Sequence, residues 1–280
     1  MENVELTAGT IEYREAGDPH GPPVVLLHGL LMNDHQWDLV LPLLPKTFRY
    51  LLPVLPLGGH RIPMHPEADL KMPGMVAILS DFLSALDLRD ATLVVSDWGG
   101  PLFLPELQTG QRVSRLVICP AEAFDNFPPG FPGKMAVLAA SVPGGIKFAL
   151  RQFRSRTLRR LPMVLGLMAK KPIPDDIITA WTEPGLASAG VRRDVLTYGR
   201  GTDYGKAALI ANTEKLRQFT GPALVLWAPE TRVTPRDHGR RLVDLLPQGR
   251  LVEVDDAYVL IMLDQPERTA ELITEFLQTT

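Results

Sequence analysis

Runs of consecutive apolar residues alternate with segments of helical periodicity along most of the chain. The segment 24–27 is apolar at every position, which is typical of a strand buried on both faces of a parallel sheet. Two alternating segments between Val4 and Arg14 flank Ala8-Gly9 and predict an opening hairpin. The remaining predicted strands cover 49–54, 92–96, 115–118, 223–227 and 250–254. This pattern predicts an α/β fold with a mostly parallel, eight-stranded sheet covered by helices on both faces.

Helical periodicity is found between the predicted strands. Asn33-Asp34 can cap a helix that runs to Leu44, and Pro266 suits the first turn of a final helix that ends near Leu277. Further helices are predicted over 74–86, 102–108 and 235–246.

The alternation stops after Cys119-Pro120. Residues 121–215 contain no convincing strand, and their short apolar and basic helical segments are interrupted by proline and glycine pairs such as Pro128-Pro129 and Pro184-Gly185. We expect a helical cap at 121–215, inserted after the sixth strand, and a core formed by 1–120 and 216–280.

Composition narrows the class of protein. The chain has 280 residues, of which 45% are hydrophobic, enough for one large domain with an inserted subdomain. Its net charge of −3 argues against general nucleic-acid binding, and no apolar run approaches the length of a membrane span. The polar, acidic start lacks a signal-peptide pattern, and the single Cys119 cannot form an intramolecular disulfide. We therefore expect a cytoplasmic location, and no motif implies a metal or a cofactor.

The segment Leu93-Val94-Val95-Ser96-Asp97-Trp98-Gly99-Gly100 is the strongest chemical signal in the sequence. It has the pattern of a nucleophile elbow, a sharp strand-to-helix turn that exposes one side chain, here Asp97, above the sheet. In such a turn the backbone N–H of Trp98 is expected to face a developing oxyanion. Leu27-His28-Gly29-Leu30 follows the third strand and predicts a second donor, the N–H of Leu30. The alternative interpretation is an ordinary loop in which Asp97 caps a helix.

On these residues the chain resembles α/β-hydrolases of the haloalkane dehalogenase and epoxide hydrolase branch. It is similar in particular to bacterial α/β-hydrolase-like proteins that carry the segments Pro56-Leu57-Gly58-Gly59-His60-Arg61 and Phe124-Asp125-Asn126-Phe127-Pro128-Pro129. The resemblance implies that Asp97 attacks carbon to form an ester, which water activated by a histidine then hydrolyses. It also implies that the ring N–H of Trp98 occupies the position that binds departing halide in dehalogenases.

Three positions depart from the family pattern. The catalytic histidine is expected seven residues before Pro266, where this chain has Val259, and its orienting acid four residues before Pro235, where it has Thr231. Leu30 stands where many dehalogenases have an asparagine that contacts halide. Glu122 or Asp125 could supply an acid after the sixth strand. The catalytic triad is therefore predicted to be degenerate.

Another histidine is an alternative base. His35 and His60 each follow a loop at the carboxyl edge of the sheet, where sites form in this fold class, although a loop histidine is more often a structural hydrogen-bonding group. Two cap tyrosines protonate the opening ring in epoxide hydrolases, and packing is the simpler role for the two cap tyrosines here. The residues predicted to contact substrate are Trp98, His28, Glu122, Trp181, Tyr198, Tyr204, Tyr258 and Val259.

The cap contains a basic stretch. Nine lysines and arginines and no acidic residue lie between Lys134 and Lys171. They form either a solvated helical face or a surface that attracts an anionic substrate or an anionic carrier protein.

Three functions remain open on the sequence. In the first, Asp97 is the acid or base of a non-hydrolytic reaction, such as cyclisation, isomerisation, elimination or addition, on a largely apolar small molecule. In the second, the chain is a hydrolase of the dehalogenase or epoxide hydrolase type that uses another base. In the third, it is a catalytically inactive binding protein.

Overall fold

The computed structural model describes residues 1–200 and 206–279, and an eight-stranded sheet forms its centre. The sheet order is β1-β2-β4-β3-β5-β6-β7-β8, in which the pairs β1–β2 and β2–β4 are antiparallel and the others parallel. The expected eight-stranded, mostly parallel sheet with an opening hairpin is thereby confirmed. The strands are β1 (Glu2–Leu6), β2 (Gly9–Gly17), β3 (Pro23–Leu26), β4 (Arg49–Pro53), β5 (Ala91–Asp97), β6 (Val113–Ala121), β7 (Ala223–Trp227) and β8 (Gly249–Glu253).

Helices cover both faces of this sheet and also fill the long connection between β6 and β7. They are α1 (Met72–Ala85), α2 (Glu106–Thr109), α3 (Gly130–Ser141), α4 (Gly145–Arg154), α5 (Asp175–Ala187), α6 (Ala189–Arg200), α7 (Lys206–Glu214), α8 (His238–Leu245), α9 (Ile261–Asp264) and α10 (Pro266–Thr279). The helix predicted from Asn33 to Leu44 was wrong, because two 3-10 turns, Asp34–Trp37 and Leu41–Leu43, stand there. Pro42 has no N–H and its ring clashes with the preceding turn, so a continuous α-helix cannot pass through it.

Alternate residues of each central strand enter two separate cores. In β5, Leu93 and Val95 pack with α1 and α8, whereas Val94 packs with α10 and residues of the α3–α6 region. Both faces are therefore dry, which explains the unbroken apolar runs in the sequence. Cys119 is buried in the second of these cores, and burial raises the pKa of its thiol, so it serves as a small core residue.

The described part of the β6–β7 connection consists of α3 to α7 and short turns, with no strand among those residues. Within the described chain, no helix combines the length and the apolar character that crossing a bilayer requires.

Candidate active site

Asp97 is the last residue of β5 and has a strained backbone conformation at the point where the chain turns sharply. Its φ is +60°, a left-handed value that residues with a side chain seldom adopt. Two neighbouring glycines are required by close contacts. A Cβ on Gly29 would lie 2.1 Å from Asp97 Oδ2, and one on Gly100 would lie 2.0 Å from the Trp98 ring. The local sequence therefore favours one geometry, with the Asp97 carboxylate against the loop after β3.

One of the two expected oxyanion donors reaches the carboxylate. Leu30 N–H donates to Asp97 Oδ2 at 3.0 Å. Trp98 N–H instead donates to the carbonyl of Ser96 at 2.7 Å, which differs from the expectation that it would face an oxyanion. The reason is local, because the tight turn at Asp97 brings this N–H onto the carbonyl two residues earlier.

Asp97 lies at a cavity of about 350 Å³ between the sheet edge and the α3–α6 region. Of the residues predicted to act at the site, Asp97, Trp98, Leu30, Glu122 and Tyr198 line it together, and no histidine is among its described lining residues. The remaining walls are mostly apolar and include Met32, Phe127, Pro132, Val137, Phe153 and Met168. The cavity suits a small apolar molecule that presents one polar region to the two carboxyl groups.

The carboxyl groups of Asp97 and Glu122 have different pKa values. Burial raises the pKa of Asp97 to about 6, against the opposing effect of its bond from Leu30. Burial also raises the pKa of Glu122 to about 8, the negative charge of Asp97 adds to this increase, and a 3.4 Å bond from the N–H of Gly99 opposes it. Near neutral pH the site therefore contains one carboxylate and one neutral carboxylic acid.

Asp125, the other acid considered after β6, is outside this cavity. Its exposed carboxylate lies 3.2 Å from Lys206 Nζ and 3.6 Å from His238 Nε2, and the bond with Lys206 is the main cause that lowers its pKa. Of the two alternatives, only Glu122 lies with Asp97.

Trp98 supplies a donor that is not otherwise used. Its side chain is 2% exposed, and its Nε1 is buried without a hydrogen-bond partner in the described chain. Tyr198 packs edge-on against the Trp98 ring, with centroids 6.5 Å apart. Tyr204, the second predicted cap tyrosine, lies outside the described residues. A buried N–H without a partner beside a cavity is suited to bind an anionic or polar group of a ligand.

The histidines predicted as bases or contacts are occupied elsewhere. His35 Nδ1 lies 2.6 Å from Asp38 Oδ2, and His60 Nε2 lies 3.1 Å from Asp194 Oδ2. His28 accepts the N–H of Leu55 at 2.9 Å, and burial lowers its pKa to about 4. None of the three lines the cavity: His28 and His60 are buried, His35 is partly exposed, and each is bonded to other residues of the protein.

Four further predicted residues also lie away from the cavity lining. Val259 is fully buried in the loop after β8, and Thr231 Oγ1 accepts the N–H of Val233. Trp181 is buried within α5, and Tyr258 lines a separate outer cleft. The inner cavity therefore has no wall from Trp181, Tyr258 or Val259, because Trp181 and Val259 are packed in the core and Tyr258 faces the outer cleft.

A buried carboxylate that the sequence did not reveal as important anchors the loop after β8. Asp264 accepts three backbone N–H bonds, from Tyr258, Lys170 and Lys171, at 2.8–2.9 Å. Leu260 N–H also donates to the carbonyl of Met168. The segment that would present a catalytic histidine is thus bonded to the wall of the cavity. In the sequence, Asp264 is marked only by the segment Asp264-Gln265-Pro266, which also defines Val259 as the expected histidine position.

The basic stretch borders the outer cleft, which has a volume of about 510 Å³. Arg156, Arg159, Arg160, Lys170 and Lys171 line it, and Arg156 and Arg159 both pair with Asp175. Leu165 lines this cleft and the inner cavity, so a single segment separates them.

The sequence matches the Alpha/beta hydrolase family over residues 24–272. It is 34% identical over 129 residues to a haloalkane dehalogenase of Mesorhizobium japonicum, a match covering 44% of this chain and 41% of that protein. The fold is similar to a loop variant of the haloalkane dehalogenase DbeA from Bradyrhizobium elkanii (TM-score 0.77, 18% identity, 99% and 96% of the chains covered). It is also similar to a thermophilic esterase from Thermogutta terrifontis (TM-score 0.72, 21% identity, 99% and 98% covered).

Proposed function

We propose that this chain, which belongs to the alpha/beta hydrolase family, is an enzyme that moves protons on a small apolar molecule without hydrolysing it. The observation that carries the proposal is a pair of carboxyl groups at one apolar cavity, the partly buried Asp97 and the buried Glu122, with pKa values of about 6 and about 8. Two acids whose surroundings separate their pKa values in this way are suited to act as base and acid at neutral pH.

The proposed cycle begins with ionised Asp97 and protonated Glu122. Asp97 takes a proton from a C–H or O–H group of the substrate, while Glu122 gives its proton to another atom of the same molecule. In an isomerisation or ring closure the substrate loses one proton and gains one, so its composition does not change. A proton then returns from Asp97 to Glu122, and the pair regains its starting charge. Elimination and addition use the same two groups.

Hydrolysis fits the site less well. The family reaction requires a base that activates water, a contribution of roughly 10²–10⁴-fold. Val259 and Thr231 carry no such base, and His35 and His60 are bonded to carboxylates away from the cavity. We expect negligible turnover of generic esters, haloalkanes and epoxides by the wild-type protein.

A second candidate function rests on the Nε1 of Trp98, which has no hydrogen-bond partner among residues 1–200 and 206–279. If Asp97 attacks carbon as a nucleophile, this N–H can bind the departing anion, as the resemblance to dehalogenases implies. The covalent ester would then accumulate, because no base at the cavity activates water to release it. The third possibility, a binding protein without activity, leaves the strained backbone of Asp97 without a purpose.

Two probes test these functions. 5-Nitrobenzisoxazole opens, with cleavage of its N–O bond, when a base removes the proton on C3 of the isoxazole ring, and bromohexane alkylates a carboxylate nucleophile. We expect wild type to accelerate the ring opening and Asp97→Asn to reduce it to the buffer rate, since an amide cannot accept this proton. Asp125→Asn removes an exposed acid of the same region and should leave the rate unchanged.

Intact mass after incubation with bromohexane separates the candidates. A hexyl adduct on wild type that is absent from Asp97→Asn supports the nucleophile. Ring opening without an adduct supports the acid–base function. Ring opening that is unchanged in Asp97→Asn would refute the proposed role of Asp97, and neither product nor adduct in wild type would favour a binding protein.

A further inference from the structure

We propose that the outer face of α3, α4 and the following segment to Met163 docks on an anionic lipid surface. We call residues 131–163 the docking face. This inference does not depend on the chemistry at Asp97, because it concerns the solvent-exposed side chains of helices whose other side chains line the cavity.

The docking face exposes an unusual amount of apolar surface. Eight of the eleven large hydrophobic residues that are exposed in the described chain lie within it, including Phe148 at 62% and Leu138 at 52% exposure. Clustered exposed apolar residues mark sites of contact with proteins or membranes, whereas single ones are ordinary. The eight residues are Phe131, Val137, Leu138, Val142, Phe148, Leu158, Leu161 and Met163.

Positive charge is interspersed among these apolar residues. Between Lys134 and Lys171 the chain has nine basic and no acidic residues. Arg156, Arg159 and Lys170 pair with acids outside that stretch. The other six make no ion pair with any described residue, and five of them lie within the docking face and can contact anionic headgroups: Lys134, Lys147, Arg151, Arg154 and Arg160. Each basic residue near an anionic bilayer adds attraction, and apolar side chains add insertion.

Helix α3 joins this face to the reaction cavity. Its Pro132, Ala136 and Ala140 line the cavity, while Phe131 and Leu138 are exposed on the outside. Val137 both lines the cavity and is 39% exposed, so the cavity reaches the surface at this helix. A docked protein would thus hold the cavity mouth against the bilayer, where apolar small molecules accumulate.

The arrangement favours a lipid surface over the other occupants. A second copy of the chain would bring the same positive charges against these, which is unfavourable. A helical peptide in a groove needs anchors at regular helical spacing on one side. Here the apolar and basic residues are spread over three consecutive segments, and a bilayer accepts them at any of these positions.

Vesicle co-sedimentation tests the proposal with the full chain. We expect wild type to sediment with vesicles of phosphatidylcholine and phosphatidylglycerol, and much less with phosphatidylcholine alone. Arg151→Gln with Arg154→Gln should weaken binding about 25-fold, since each charge contributes about fivefold. Phe148→Ser should weaken it about tenfold.

Matched controls lie outside the docking face. Arg236→Gln with Arg240→Gln removes the same charge from exposed residues that form no ion pair with any described residue, and Leu43→Ser removes an apolar residue that is 50% exposed. Both should bind vesicles as wild type does. Asp97→Asn should also bind normally, so failure of the chemistry and failure of docking are distinguishable.

Three outcomes would overturn the inference. In the first, wild type sediments with neither kind of vesicle and does not bind polyglutamate. In the second, the control variants lose as much vesicle binding as the docking-face variants. In the third, wild type does not bind vesicles but binds polyglutamate, and Arg151→Gln with Arg154→Gln weakens that binding. This result would identify an acidic protein as the partner.

Discussion

Replacing Glu122 with glutamine should stabilise the protein increasingly as the pH rises. The wild-type carboxyl group is buried at the cavity beside Asp97, and ionising it there is costly. Glutamine has nearly the same shape, can keep the bond from the N–H of Gly99, and does not ionise. The comparison between the two proteins therefore isolates the cost of the negative charge.

The magnitude follows from the pKa of Glu122, which is raised from its ordinary 4.5 to about 8. Between these values the folded protein holds a proton that the unfolded chain has lost, so the free energy of unfolding falls as pH rises through that window. The full difference is at most about 5 kcal/mol, at about 1.4 kcal/mol for each pKa unit. Wild type loses none of this free energy of unfolding below about pH 4.5 and all of it above about pH 8. Glu122→Gln loses none of it at any pH.

Urea unfolding at about pH 5 and about pH 9 measures this effect. The stability of Glu122→Gln relative to wild type should increase by several kcal/mol between these conditions. Asp125→Asn is the matched control, because the pKa of that exposed carboxyl is lowered, mainly by Lys206, and it is ionised throughout this range. If the relative stability of Glu122→Gln does not change with pH, Glu122 ionises like a surface acid and cannot be the proton donor.

Three other predictions concern the same site and its supports. The rate of 5-nitrobenzisoxazole opening should rise with pH around 6, the pKa of Asp97, and a flat profile would contradict its role as base. Asp264→Asn should lower the free energy of unfolding by about 2–4 kcal/mol in urea unfolding, because three backbone N–H groups lose a carboxylate, whereas exposed Asp176→Asn should have little effect. Val259→His with Thr231→Asp should give weak esterase activity at reduced stability, and activity in wild type would show that a base is already present.

Much of the fold could be predicted because a sheet buried on both faces leaves unbroken apolar runs. The predicted strands at 92–96 and 223–227 match β5 and β7 within two residues at each end. Helices were predicted wrongly where a proline interrupts a segment with helical periodicity. The predicted helix at 102–108 is a 3-10 turn followed by the short α2, because Pro105 interrupts it.

The site could be predicted only where it depends on local sequence. Asp97 ends β5 and Leu30 follows the adjacent parallel strand β3, so the topology brings the two residues together. The sequence does not indicate which of two residues that lie far apart along the chain are bonded to each other in the fold. His60 is bonded to Asp194, which lies 134 residues further along the chain, and nothing near His60 in the sequence indicates it.

Trp98 gives the protein a built-in optical reporter. The other three tryptophans, Trp37, Trp181 and Trp227, are at most 1% exposed and do not line the cavity, whereas the Trp98 ring borders it. A molecule that enters should therefore change the emission of one indole against a constant background. Compound libraries can be screened for occupancy by intrinsic fluorescence before any reaction is known, and a response that persists in Trp181→Phe but is lost in Trp98→Phe arises from the cavity.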